Sequence, residues 1–163
     1  MLVYSRAMWK IYFIFCILWL HTDQIESCQD GWVSHDTRCY HFSHDEESLP
    51  VAALVCQNMG GELAEIETAE ENVFLINKVK ILQNYFWIGL TDIQEEGIWR
   101  WYSSKRLLTT TGFSSWAPGR PDNIGGKENC CQIRSDGLWG DDQCHVFKFY
   151  ICEKPLGNTE IIG

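Results

Sequence analysis

Trp116-Ala-Pro-Gly-Arg-Pro-Asp-Asn123, then Glu128-Asn-Cys-Cys131, then Leu138-Trp-Gly-Asp-Asp-Gln-Cys144, together form the most informative stretch of this 163-residue chain. Turn formers, acids, amides, cysteines and tryptophans crowd into one short span. That mixture suits a rigid loop presenting oxygen ligands to a hard cation.

Outside the loop, the pattern alternates between short strands and two helices. The segment Cys28-Gln-Asp-Gly-Trp32 through Cys39-Tyr40-His-Phe42 interleaves aromatic and polar residues around a turn, which predicts a small hairpin that a Cys28 to Cys39 bridge would close. Ser48 then predicts a helix cap, with Pro50 in the first turn, Ala52, Ala53, Cys56 and Met59 facing inward and Gly60-Gly61 as the stop. A short strand follows at Leu63, Ala64 and Ile66. Thr68 with Glu71 is a capping-box signature for a second helix running to about Lys80, with Phe74, Leu75 and Val79 inward. From Tyr85 onward the runs Phe86-Trp-Ile-Gly-Leu90, Trp99 with Trp101, Cys131 with Ile133 and Tyr150-Ile-Cys152 read as strands of an antiparallel sheet interrupted by the long loop.

With 45% apolar residues there is material for one well-filled core, and a net charge of −9 disfavours nucleic acid as a partner. Arg6 and Lys10 precede an apolar run from Ile11 to Leu20. The run is too short for the ~30 Å of a bilayer core but fits a signal-peptide h-region. We therefore expect residues 1–27 to be a signal peptide, residues 28–154 a single domain and residues 155–163 a short tail. Secretion follows, with no membrane span after cleavage; an uncleaved anchor is the competing reading. Cys16 leaves with the leader, and Cys28, Cys39, Cys56, Cys130, Cys131, Cys144 and Cys152 remain. An odd set in an oxidising compartment implies three bridges and a spare thiol. Zinc is the rival, but no C-x-x-C pair occurs. Cys131, alternating with Ile133, reads first as a buried inert thiol and second as an intermolecular bridge.

Trp87-Ile-Gly-Leu90, the Trp116-x-Pro-Gly-x-Pro-Asp-Asn123 run, Glu128-Asn-Cys130, Leu138-Trp-x-Asp141 and Tyr150-Ile-Cys-Glu153 resemble, in order, the motifs of the C-type lectin-like domain. The short acidic build also resembles the perlucin-like lectins of molluscs. The resemblance implies an α+β fold: two helices, small antiparallel sheets and a long inserted binding loop. It also implies the pairs Cys28–Cys39, Cys56–Cys152 and Cys130–Cys144, although Cys131 is an alternative partner for Cys144.

In that family the sugar-binding calcium takes ligands around the loop proline, before the next Cys and after a Trp. Carried over, Asp122, Glu128 and Asp141 match, while Arg120 stands in place of Glu or Gln and Gly140 in place of Asn. A guanidinium held 4 Å from a divalent ion costs about 8 kcal/mol at an effective dielectric near 20. Extracellular calcium sites supply only about 4 to 5.5 kcal/mol. Calcium thus binds here only if Arg120 swings into solvent. An auxiliary calcium is implied at Asp92, Glu96, Asn123, Glu128 and Asn129; an ordinary solvated turn at Asp92, Glu95 and Glu96 is the plain alternative. Pro121-Asp122 leans toward galactose-type glycans, and Arg120 alternatively toward acidic ones held without calcium.

Other constellations carry less. Trp87, Trp99, Trp101 and Trp139 have strand spacing that favours the core over sugar stacking. His35, His41, His44 and His145 lack zinc-ligand spacing, Gly126-Lys127 is not a phosphate loop, and no nucleophile elbow occurs, so no enzyme is expected. The expected function is a secreted carbohydrate-binding lectin of innate glycan recognition. The alternative is an acidic matrix protein of biomineralisation that binds calcium carbonate or protein.

Overall fold

Strand β1 (Val33–His35) and strand β2 (Arg38–Phe42) form the expected first hairpin, closed by the Cys28–Cys39 disulfide. The structure is a computed structural model and describes residues 27–109 and 112–157. The apolar run at Ile11–Leu20, with the leader and anchor readings attached to it, lies outside those residues, as does the tail beyond residue 157.

Helix α1 (Leu49–Asn58) carries Pro50 in its first turn, where a missing N–H breaks no helical bond, and it buries Leu49, Ala52, Ala53 and Cys56. Two details depart from expectation. Ser48 holds the N-cap position in an extended conformation but its side chain makes no capping bond, and Met59 is a half-buried C-cap rather than an inward residue. Helix α2 (Ala69–Leu82) begins where the Thr68 hydroxyl accepts from the Glu71 N–H at 3.1 Å. The reciprocal half of the capping box is missing, because the Glu71 carboxylate accepts from the Glu67 N–H at 2.8 Å and from the Tyr40 hydroxyl at 2.6 Å. The helix runs past Lys80 to Leu82 and ends on left-handed Gln83. Leu75 and Val79 are buried as expected, and half-buried Phe74 stacks on His35 with ring centroids 4.2 Å apart.

The remaining strands are β3 (Glu62–Leu63), β4 (Phe86–Thr91), β5 (Arg100–Trp101), β6 (Cys130–Ile133), β7 (Trp139–Asp142) and β8 (Phe149–Pro155). Their order is β1-β2-β8-β4-β6-β7, with β3 added against β8 and β5 against β4. The pairs are antiparallel except β4 with β8, which run parallel. Sequence reading expected antiparallel pairing throughout. The whole loop-bearing segment lies between β4 and β8, and that length is what a parallel crossover needs. Strand β8 also continues past the expected domain end at Lys154, and the Leu156 N–H donates to the Thr37 carbonyl at 2.8 Å.

Two apolar clusters flank the sheet. Alternation along β6 sends Cys131 and Ile133 into one and Cys130 into the other, beside half-buried Cys144. Strand geometry thereby selects Cys130, not Cys131, for the bridge to Cys144. Cys56–Cys152 ties α1 to β8 across 96 residues, a closure that chain-entropy models value at roughly 4 to 5 kcal/mol. Cys131 is free and fully buried, and burial pushes its thiol well above the ordinary range. Among the described residues that leaves no exposed free thiol for an intermolecular bridge. Gly89 is required by close approach, since a Cβ there would lie 2.9 Å from the Leu63 carbonyl oxygen.

Candidate functional site

The loop leaves the sheet beside β7 and rejoins it as β6. The Trp139 N–H donates to Ser115, and the Ala117 N–H donates to Trp139, both at 2.8 Å. Trp116 then packs edge-on against Trp99 with ring centroids 4.8 Å apart. Next comes a tight turn in which the Arg120 N–H returns to the Ala117 carbonyl at 2.9 Å, with Pro118 and Gly119 at its centre. Gly119 has φ +81°, the conformation a type II turn demands at that position. This turn throws Arg120 back over β7. The Arg120–Pro121 peptide bond is cis, and a 3-10 turn at Ile124–Gly126 carries the chain on toward Glu128.

Asp122, Glu128 and Asp141 converge as the sequence predicts, each offering an oxygen within 4.8 Å of the others; among the described residues they are the one such group of potential metal ligands. Arg120 lies at the point of convergence. Its Nη1 is 2.7 Å from Asp122 Oδ1, 2.8 Å from Glu128 Oε2 and 3.0 Å from Asp141 Oδ1. The same nitrogen donates to the Asp141 carbonyl at 3.3 Å. The remaining Asp141 oxygen, Oδ2, accepts from the backbone N–H groups of Asp122 at 2.9 Å and Asn123 at 2.7 Å. Hydrogen bonding to Asp141, reinforced by the charges of Asp122 and Glu128 and opposed by partial burial, holds the guanidinium even more firmly protonated than usual. A calcium ion and a cationic nitrogen cannot share that point, so this arrangement does not fit a primary calcium. One positive charge against three negative ones leaves the cluster two charges negative, which also opposes the expectation that Arg120 grips an acidic glycan.

The auxiliary set divides differently. Asp92 is 3% exposed; its Oδ2 accepts from the Gly97 N–H at 2.8 Å, while its Oδ1 is buried with no partner. Asn129 Oδ1 is likewise buried without a partner. The two residues adjoin, since the Asn129 carbonyl accepts from the Asp92 N–H at 3.2 Å and the Thr91 hydroxyl at 2.6 Å. Burial pushes the Asp92 carboxyl up, the Gly97 N–H opposes this, and Glu96 adds to it. Two orphaned, desolvated oxygens are what a hard cation satisfies, so Asp92 and Asn129 fit one. Glu96 is exposed on the same turn. Asn123 and Glu128 are already committed: Asn123 Oδ1 accepts from the Glu128 N–H at 3.0 Å, and Glu128 Oε2 serves Arg120 and the Ile124 N–H.

Trp87 and Trp139 are fully buried, and Trp99 and Trp101 nearly so, which makes all four core residues. Sequence reading missed a second charged cluster below the loop. Glu153 is 0% exposed and receives Arg38 Nη1 at 2.6 Å, while buried Glu65 accepts from the Ser104 N–H at 2.9 Å and from Arg106. No spacing signal marks it, since its members come from four separate segments. A cleft lined by Thr91, Ile93, Gln94, Arg100, Trp101, Tyr102 and Lys105 measures about 50 Å³, room for a water molecule or two and not for a sugar ring.

A family model described as Lectin C-type domain matches residues 45–154. The chain therefore belongs to the C-type lectin domain family. It is 36% identical over 137 residues to C-type lectin domain family 10 member A of Homo sapiens, a match covering 81% of this chain and 42% of that protein, so the chain spans less than half the relative's length. Among solved structures it resembles the mouse Scavenger Receptor C-type Lectin carbohydrate-recognition domain, with TM-score 0.73, 31% identity, 80% of this chain covered and 98% of the other. It also resembles a calcium-independent type II antifreeze protein, with TM-score 0.68, 28% identity, and 79% and 95% covered. These similarities carry the family but not the narrower perlucin-like resemblance.

Proposed function

We propose that the chain is a carbohydrate-recognition domain acting outside the cell, a lectin that meets glycans through the loop between Trp116 and Asp142. The observation that carries this reading is the convergence of Asp122, Glu128 and Asp141 on one point of a loop clipped by Cys130–Cys144. The family supports it, and three disulfides suit an oxidising compartment. The residual negative charge selects neutral, hydroxyl-rich glycans over sulfated or carboxylated ones, with exposed Asp122 as the acceptor for a sugar hydroxyl. Pro121-Asp122 keeps half of the galactose-type pattern, so galactose-containing glycans are the first ligands to test. Innate recognition of microbial or self glycans is the setting this implies. An auxiliary calcium held by Asp92, Asn129 and Glu96 would stiffen the turn after β4. The likeness to a calcium-independent antifreeze protein supports a fold that stands without the primary ion.

On a glycan array, the folded chain should bind neutral glycans and an Asp122→Ala variant should lose them. If the parent binds none, the lectin reading is wrong. A second reading, an acidic matrix component, rests on the net charge of −9. Adsorption to calcium carbonate in the absence of any glycan binding would favour it.

A further inference from the structure

We infer that Arg120 is the loop's own resident cation: its guanidinium fills the place of a metal ion among Asp122, Glu128 and Asp141, so the loop closes without calcium and excludes it. The inference concerns the same loop but does not depend on glycan binding.

Three independent features converge on it. First, a single nitrogen, Arg120 Nη1, touches all three carboxylates at 2.7 to 3.0 Å and the Asp141 carbonyl besides, which is the contact pattern of a central ion rather than of one surface salt bridge. Second, the cluster is finished without a metal. Asp141 is buried at 1% exposure, and its second oxygen is taken by two backbone N–H groups that can only donate. Third, the arginine is aimed rather than free. Its backbone is pinned by the Pro118-Gly119 turn, its side chain is only 24% exposed, and Gly140 on β7 supplies no side-chain oxygen beside it. Because the cation is covalently part of the loop, its local concentration is constant. The loop therefore keeps one shape at every calcium level, where a metal-built loop would open on chelation.

Bound calcium decides the matter, counted by titration calorimetry and equilibrium dialysis against millimolar calcium chloride. The Arg120→Gln variant should hold one ion more than the parent. Adding Gly140→Asn should tighten that extra ion several-fold; a Cβ at Gly140 comes within 3.3 Å of Arg134 Cδ, part of a flexible chain, and otherwise makes ordinary contacts with Arg134 Cγ at 3.8 Å and Gln132 Nε2 at 3.9 Å. In the parent, Asp122→Asn should leave the calcium count unchanged, and the Arg120 Nε–H resonance should not move on adding calcium. Equal counts in the parent and Arg120→Gln would overturn the inference. So would a parent that loses an ion on Asp122→Asn, or an Arg120 resonance that shifts at stoichiometric calcium. If Arg120→Gln does not fold, the two measurements on parental arginine decide alone.

Discussion

Arg120 and Arg38 each meet a buried carboxylate, and the two meetings end differently. At the loop, Asp141 finds a donor for each oxygen: Arg120 for Oδ1 and two backbone N–H groups for Oδ2. At the base of the sheet, Glu153 takes Arg38 on Oε1 at 2.6 Å, but its Oε2 is buried with no partner. A buried carboxylate stays ionised at low cost only when its lone pairs are filled. Burial accordingly pushes Glu153 up to about 8, with Arg38 and the Glu65 backbone opposing and Glu71 and Glu62 adding to the shift. The first carboxylate has a donor for each oxygen, and the second keeps one oxygen without a donor and is the readier to hold a proton.

The largest effect should come from removing the filled partner. Asp141→Ala strands the Asp122 and Asn123 N–H groups and takes from Arg120 its one fully buried acid. Chemical denaturation should register a loss of about 3 to 4 kcal/mol, and amide exchange at residues 122 and 123 should quicken selectively. A loss below about 1 kcal/mol would mean that the loop is not organised by this charge.

Glu153 tests the other side through pH. Its folded value lies above its ordinary value of 4.5, so the native state keeps a proton that the unfolded chain has released. Its contribution is most favourable below about pH 4.5, declines as pH rises toward 8 and levels off above that. Between pH 5 and 8.5 the parent should lose on the order of 2 kcal/mol more stability than Glu153→Gln, measured by urea unfolding. Parallel pH profiles for the two proteins would show that Glu153 holds no extra proton in the folded state and that its second oxygen is satisfied after all.

The fold was legible because its signals are local or periodic. Turn residues, the Thr68 cap and strand alternation placed both helices and most strands; the odd cysteine count gave three bridges and a spare thiol, and their pairing came from the resemblance to C-type lectin-like domains, with Cys130 and Cys131 left as alternatives. What escaped depends on contacts between distant segments. Nothing near Glu71 says that its carboxylate turns to Tyr40 instead of completing the cap, and nothing near β8 says that it runs parallel to β4. The short strand β7 was hidden as well, because Gly140 interrupts the alternation that would have revealed it. At the loop, sequence placed Asp122, Glu128, Asp141 and the anomalous Arg120, but left two outcomes open. A guanidinium beside three acids either swings into solvent or becomes their counter-ion, and the choice rests on where the Pro118-Gly119 turn aims the side chain. The auxiliary set was read as one group, whereas the folded chain spends Asn123 and Glu128 on holding the loop.

That split sets the smallest and most selective test. Asp92 resembles Glu153 in being buried with one oxygen unpartnered, but Asn129, bonded to it through the backbone, carries a second orphaned oxygen, and a cation bound by both residues would satisfy the two. Without calcium, Asp92→Asn should change stability by less than about 1 kcal/mol, since it removes a poorly solvated charge while keeping the acceptor for the Gly97 N–H. With millimolar calcium the parent should rise in melting temperature and the variant should not, whereas Asp122→Asn should keep the parent's response. Parent and Asp92→Asn rising equally would place any bound calcium away from Asp92, and the two orphaned oxygens would then need a buried water in its stead.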